Sequence, residues 1–493
     1  MQPSSKAKEY VEQVCNEIRW QKAHAVVQEE LYAHIEDQKE AYLLAGAMEE
    51  EADALSVEEM GNPLETGSHF DKLYRPHIEW NVILFAAIII AAGSIMRLGL
   101  LKAAGEEIFI DEEILILLLG IAVMVYGYRL DYITLFRHYF SGKVSGIVWA
   151  VLCTFAVFIV FYAGWHVFNG SMMWIVVNGN HLFSHYIGLL WPVVMCAFVC
   201  MQYKKGSRGY LYSFAFLLFS MCVFANSSSA MFLLMGTGFA MLCYALWKNW
   251  FGCSRKWGFT FLMFPLILFV MSIRYPHRIH RLYSVLNPFS DPMGYGYTFV
   301  QIFNTLQETQ FFHSGDRNLL YAVENIPNLL TDHLLTAAVV HWGWISLVPL
   351  LLAYGMLFYL GWKACFRVKS QIGRLLVITI NTVWIIQLAV YLCNGFTPLQ
   401  LLGYPLLFVQ GRYAKLSNMF LLGLVLSVYK TGAVQKDELV EQNTEEEDSI
   451  FLKKPITTKQ ELEAFLKLEY NLEEPLFSDW KESKEKQKKV SDI

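Results

Sequence analysis

Charge is scarce in this chain. Asp, Glu, Lys and Arg make up 17% of its 493 residues, hydrophobic residues make up 55%, and the mean hydropathy is +0.35. A soluble domain carries roughly 25% charged residues, so a water-soluble globule is excluded and a polytopic membrane protein is expected. Paired cysteine chemistry is missing as well. Of the nine cysteines, Cys153, Cys196, Cys200, Cys222, Cys243 and Cys393 lie in apolar runs, where they read as small hydrophobes. No CxxC or Cys/His cluster has zinc spacing, so neither a disulfide framework nor a structural metal is supported. The N-terminus is acidic and amphipathic, without the charged-then-apolar order of a signal peptide, and is expected to stay where it is made. The chain shows no internal repeat, and no nucleic-acid partner is expected.

What charge there is lies at the two ends, in residues 1–78 and 431–493, flanking an apolar middle. A span needs about 20 mostly apolar residues to cross the hydrocarbon layer. Runs of that kind centre near 80–97, 113–128, 145–163, 185–203, 210–226, 229–247, 257–273, 333–361, 373–393 and 412–429. The expected fold is therefore all-α, a membrane bundle of about ten transmembrane helices over residues 79–430, with a small cytoplasmic helical domain at 1–78. Residues 431–493 read as an acidic linker and a short helical tail, opened by the capping box Thr458-Lys459-Gln460-Glu461.

Lys and Arg crowd alternate connections: Arg129, Arg137 and Lys143; Lys204, Lys205 and Arg208; Lys248, Arg255 and Lys256; Lys363, Arg367, Lys369 and Arg374. The positive-inside rule then places both termini in the cytoplasm and the 274–332 loop outside. Two groups break the pattern. Arg274, His277, Arg278, His280 and Arg281 open the outer loop, and Arg412 and Lys415 sit near the outer end of the last span. Basic residues placed against the insertion bias point either to an anion such as phosphate or to interfacial snorkelling.

In the outer loop, Arg281 is followed by Asn287-Pro288, Asp291-Pro292, Gly294 and Gly296-Tyr297. Farther on, Thr331-Asp332 stands at the mouth of an apolar helix that leads to Trp342-Gly343-Trp344. A carboxylate at the edge of a membrane-buried helix is costly and usually functional. This order resembles the SEDS family of FtsW, RodA and SpoVE. Asn169-Gly170 through Trp174-Ile175 resembles an outer-loop signature of that family, and Gly395, Pro398, Gly403, Pro405 and Phe408-Val409 resemble its final re-entrant turn. The resemblance covers about residues 80–430. Residues 5–75 separately resemble the HAAS, or permease-prefix, helical domain, which implies a regulatory or docking role for a cytoplasmic partner.

The SEDS resemblance implies peptidoglycan glycosyltransfer on lipid II, the undecaprenyl-diphosphate-linked muropeptide, at the outer face of a bacterial cytoplasmic membrane. A class B penicillin-binding protein would be the transpeptidase partner. Asp332 matches the family's catalytic Asp and is the candidate base; Thr331 precedes it. Arg281, then Arg278, are candidates for the diphosphate, with Arg412 and Lys415 as replacements for basic character the chain has lost. Trp174 is read either as packing on a sugar or as an interfacial belt residue. Pro288, Asp291, Gly294, Gly296, Pro398 and Pro405 are read as turn and backbone-geometry residues. Asp332 has a second reading as a helix cap. The diphosphate invites a divalent cation, Mg or Mn, though no dedicated ligand set can be named.

The chain also departs from the family. Met173 stands where an Arg is usual, and Ser184 to Leu190 lack the family's Glu and Lys. Gln410-Gly411-Arg412-Tyr413-Ala414-Lys415 replaces a Ser/Gly-rich stretch. Two other functions therefore stay open at the sequence level: a catalytically weak scaffold or sensor that recruits wall enzymes, and a transporter of lipid-linked precursor.

Overall fold

The periodic apolar positions near the N-terminus become the core of a four-helix unit. The structure is a computed structural model. It describes residues 4–75, 79–107, 110–130, 132, 151, 154–155, 166–168, 171–177, 180–224, 227–265, 267, 279–280, 283, 286–294, 296–312, 316–368, 370–398 and 403–431. Helices α1 (Ser5–Glu17) and α2 (His24–Leu44) bury Tyr10, Val11 and Val14 against Val27, Leu31 and Ile35. The spacing of three and four residues puts each set on one helix face. Helix α3 (Glu49–Glu59) ends just before Gly61-Asn62-Pro63, and these residues open a further helix, α4 (Pro63–Tyr74). Asn62 caps it by accepting from Leu64 N at 3.0 Å, and Pro63 occupies the first turn, where its missing N–H costs nothing. Asp71 on α4 ties back to the segment just after α1 by accepting from the Arg19 backbone N–H at 3.0 Å. That bond and the nearby Arg75 hold its carboxyl below the ordinary range.

The apolar middle follows as α5 (Trp80–Ala103) and α6 (Ile110–Arg129), then strands β1 (His166–Phe168), β2 (Ser171–Val177) and β3 (Asn180–Phe183). After them come α7 (Ser184–Gly188), α8 (Trp191–Met201), α9 (Gly206–Val223), α10 (Ser228–Trp247) and α11 (Arg255–Phe261). The last part of the bundle is α12 (Tyr297–Gln307), α13 (Asp316–Asn325), α14 (Leu329–Asp332), α15 (Leu334–Trp342), α16 (Leu347–Arg367), α17 (Gln371–Phe396) and α18 (Arg412–Thr431). Among the described residues, four helices are long and apolar enough to cross a membrane: Trp80–Ala103, Ser229–Trp247, Trp344–Arg367 and Gln371–Phe396. The span expected at 145–163 falls mostly outside the described residues, the one expected at 257–273 is described only at 257–265 and 267, and the whole 432–493 tail with its expected helix lies outside them. The chain divides after Lys436 into two units, and the second lies entirely outside the described residues.

Two features differ from the sequence expectation. The connection around Trp174 forms a three-stranded antiparallel sheet in the order β1-β2-β3, with Trp174 paired to His166 and Phe183. The β-branched run Ile175-Val176-Val177 favours a pleated strand over a loop. The single span expected over 333–361 is also broken at Gly343, whose φ is +87°. A Cβ there would lie 2.6 Å from the Phe311 carbonyl oxygen and 2.9 Å from that of Gln310. These same carbonyls accept from Ile345 N at 3.1 Å and Trp344 N at 3.3 Å, so the break is satisfied by another part of the protein. Buried irregular backbone survives only where protein partners replace the helical hydrogen bonds.

The segment from Gly403 to Gly411 obeys the same rule. Tyr404 through Val409 are non-helical and almost completely buried. Gln387 Nε2 donates to Pro405 O at 3.0 Å, and Tyr354 Oη donates to Leu407 O at 2.6 Å. The re-entrant turn expected here is thus held by side chains of α16 and α17. Beside it, α6 and α18 pack closely along small residues, with Gly127 and Gly423 facing each other and Ser427 Oγ donating to Leu130 O.

Candidate active site

Asp332 closes a single helical turn. Asn328 takes the left-handed conformation with φ 55°, and its carbonyl accepts from Asp332 N at 2.7 Å. The chain then kinks at His333 before α15 begins. The flanking residue of α15 is His333, with no side-chain cap, so Asp332 does not serve as the cap of that helix. Thr331 turns its hydroxyl back to the Asn328 carbonyl at 3.2 Å.

Asp332 opens into a cavity of about 350 Å³ whose wall includes Arg97 and Leu101 from α5 and Glu112 and Glu113 from α6. Thr331, Pro405, Gln410, Arg412 and Lys415 complete the side nearest Asp332. Five residues singled out in the sequence are thereby brought together: Asp332, Thr331, Pro405, Arg412 and Lys415. The Asp332 side chain is open to solvent on the cavity side and enclosed by protein elsewhere. That enclosure raises its carboxyl above the ordinary range, and a hydrogen bond from Asn328 opposes the shift. His333 next to it is pushed down to about 4 by burial and stays neutral at neutral pH. Among the described residues no cation pairs with the Asp332 carboxylate.

In the turn at 288–296, Gly294 N and Gly296 N both donate to Asp291 O, at 3.3 and 3.1 Å. A Cβ on Gly296 would lie 2.2 Å from the Pro288 carbonyl oxygen. Pro288, Asp291, Gly294, Gly296 and Pro398 are outside the cavity wall. Arg278 and Arg281 lie outside the described residues, and Trp174 is described only as a strand position.

Arg97, Glu112, Glu113 and Gln410 were not singled out from the sequence. Arg97 interrupts the end of an apolar run, and Asp111-Glu112-Glu113 opens the next; charge at a span edge is the signal that could have found them. Gln410 is buried. Its Nε2 donates to Leu330 O at 3.4 Å and its Oε1 accepts from Leu406 N at 3.2 Å, which ties the buried turn to the Asp332 turn. Gln410→Leu would leave both backbone groups unpaired. We expect it to cost about 1–3 kcal/mol of stability, read from unfolding in detergent.

A helical membrane body with four carboxylates and three cations walling a cavity at one end of the bundle defines a polytopic membrane protein with a polar site. Residues 77–433 match the FtsW/RodA/SpoVE cell cycle protein family, and the chain belongs to that family as a multi-pass protein of the cytoplasmic membrane. It is 23% identical over 276 residues to the probable peptidoglycan glycosyltransferase FtsW of Idiomarina loihiensis. That alignment covers 53% of this chain and 65% of the relative, just under two thirds of its length. It is 22% identical over 329 residues to stage V sporulation protein E of Bacillus subtilis, covering 65% of this chain and 86% of the relative. A chain from a solved peptidoglycan synthase complex that coordinates polymerization and crosslinking superposes with a TM-score of 0.55. The identity is 17%, with 71% of this chain and 97% of the other covered, and the likeness is one of fold.

Proposed function

We propose that this protein is a peptidoglycan glycosyltransferase that polymerises lipid II at the outer face of the membrane. The observation that carries this reading is the placement of Asp332 in one cavity with Arg97, Arg412 and Lys415. The orientation is supported by the helix ends. The cavity gathers the C-terminal part of α5 and the N-terminal ends of α6 and α18, whereas Arg129 and Lys430 stand at the opposite ends of α6 and α18. Arg129 opens one of the alternate connections crowded with Lys and Arg, and that alternation favours a cytoplasmic position for its end. The cavity, and the loop 274–332 with it, then face outward, where lipid-anchored substrates reside.

The 4-hydroxyl of one GlcNAc attacks C1 of the MurNAc on the lipid-linked strand. The new C1–O4 bond forms as the C1–O bond to the diphosphate breaks, with inversion at C1. The hydroxyl proton passes to the Asp332 carboxylate and then to solvent, and the diphosphate departs with the electron pair of the broken bond. A positioned base of this kind contributes about 10²–10⁴-fold, and cations beside the departing diphosphate stabilise the charge it gains. Arg412, Lys415 and the outer-loop Arg278 and Arg281 are the residues we assign to that second role, with Trp174 on the neighbouring connection as a sugar contact. A divalent cation, Mg or Mn, would suit the same diphosphate. Among the described residues, however, no group of three or more His, Cys, Asp or Glu is disposed to hold a metal ion, and no step is assigned to one.

We assign a class B penicillin-binding protein as the transpeptidase partner and a cytoplasmic regulator to the α1–α4 unit. The broken helix at Gly343 is a feature that a transporter of lipid-linked precursor would also use. Purified protein given fluorescent lipid II separates these readings. Glycan strands that a muramidase digests are the expected product. Lipid II crossing liposomes without polymer would favour transport, and transpeptidase binding without polymer would favour the scaffold.

A further inference from the structure

Five charged side chains from three helices meet in the cavity wall. Glu113 on α6 uses both carboxylate oxygens: one pairs with Arg97 on α5, and the other with Lys415 Nζ on α18 at 3.1 Å. Glu112, the neighbouring residue, pairs with Arg412. The cluster is graded in depth, because the Lys415 side chain is 5% exposed whereas those of Arg412 and Glu112 are 50% and 54% exposed. Arg97 lies near enough to Arg412 and Lys415 to feel both charges.

A cluster serving only to fasten helices has no reason to wall an open cavity. Three cations held together repel one another, and burying Lys415 carries a desolvation cost that one shared carboxylate offsets only in part. The three cations are taken up by the α6 acids, not by Asp332, which has no cation partner among the described residues. The wall as a whole holds four carboxylates, Glu107, Glu112, Glu113 and Asp332, against Arg97, Arg412 and Lys415. An entering diphosphate therefore meets net negative charge for as long as both α6 acids stay in place.

We propose that Arg97, Lys415 and Arg412 form a diphosphate seat, and that Glu113 and Glu112 are built-in counter-anions that keep it closed until a diphosphate displaces them. This deepens the glycosyltransferase reading and rests on it for the identity of the diphosphate as that of a lipid-linked sugar. Arg97 becomes a binding residue, and Glu113 sets the threshold for occupancy. Arg97 and Lys415 share one carboxylate, so withdrawing it releases both cations toward the same ligand. A single phosphate would engage fewer of the three cations and is expected to bind more weakly.

The test uses the full chain in nanodiscs of zwitterionic phosphatidylcholine, with inorganic pyrophosphate titrated calorimetrically. Glu113→Gln is expected to bind pyrophosphate about tenfold more tightly than the parent, the size of one modest charge–charge term. Adding Lys415→Met or Arg97→Met to that variant should return the affinity to the parental value or below. Glu112→Gln, at the exposed rim, gives a smaller gain in the same direction and serves if Glu113→Gln does not fold. Parental or weaker affinity in whichever of these folds, judged by thermal unfolding, overturns the proposal. Loss of pyrophosphate binding when phosphatidylglycerol replaces phosphatidylcholine would assign the seat to a membrane lipid headgroup and overturn it too. Strand synthesis from lipid II with unchanged pyrophosphate affinity removes the seat and keeps the polymerase; the converse keeps the seat and removes the polymerase.

Discussion

Asp332→Asn is expected to slow lipid II polymerisation by about 10²–10⁴-fold, the range for loss of a positioned general base. The amide keeps the size and most of the hydrogen bonding of the carboxyl but cannot take the hydroxyl proton. Stability should move the other way. Enclosure raises the Asp332 carboxyl in the folded protein above its unfolded value, so between those two values the folded state holds the proton more tightly. Folding stability from this group is therefore full at low pH and falls as pH rises through the folded value. At neutral pH the charged carboxylate is a liability to the fold, and Asn removes it. The expected pair of results is a large loss of rate with an unfolding midpoint equal to or above that of the parent. A variant that loses activity only in proportion to lost folding would make Asp332 structural and sink its assignment as base.

The same shift fixes the pH profile of the parent. Activity needs the ionised carboxylate, so the acidic limb of the rate should lie above the range of an ordinary aspartate and rise with pH. His333 does not contribute a second limb near neutrality, because burial holds it at about 4. Initial rates across pH, in a detergent whose micelles do not titrate, measure this directly. A limb in the ordinary carboxylate range would mean that the cavity is wetter around Asp332 than its enclosure implies.

The parts of this protein legible in the sequence are those set by local patterns. The periodic apolar positions of α1 and α2, the apolar runs of the bundle, the turn at 288–296 and the carboxylate at a span edge all follow from spacing within a few residues. Asp332 was found because charge at the edge of an apolar helix is conspicuous. The pairing of Glu113 with Lys415 was not, because 302 positions separate the partners and only the packing of α6 on α18 joins them. The break at Gly343 was hidden for a different reason. Leu334 to Leu352 carry no Asp, Glu, Lys or Arg and read as one apolar run, and the residues that satisfy the break, Gln310 and Phe311, belong to the preceding loop. The sheet around Trp174 lay in a short connection whose β-branched run was too brief to stand out among membrane spans.

The packing of α6 on α18 gives the largest structural effect. A Cβ on Gly423 would lie 2.2 Å from the Met124 carbonyl oxygen and 2.9 Å from Tyr128 N, both backbone atoms that cannot rotate away. Gly127 on the facing helix is also close to backbone, its own added Cβ lying 2.8 Å from the Phe420 carbonyl oxygen. Larger residues must therefore push the helix axes apart, and in a bilayer close packing through small residues is what holds helices together. Gly423→Leu is expected to cost about 3 kcal/mol or more, at or beyond the usual upper end for overpacking, with Gly423→Ala intermediate. The damage reaches the cavity, since moving α18 away from α6 separates Lys415 from Glu113 and Arg412 from Glu112. Thermal unfolding in detergent measures the first effect, and pyrophosphate affinity measures the second. If Gly423→Leu unfolds within about 1 °C of the parent, about what a 1 kcal/mol change gives in a chain of this size, the two helices are not in backbone contact. The cavity wall would then need another support.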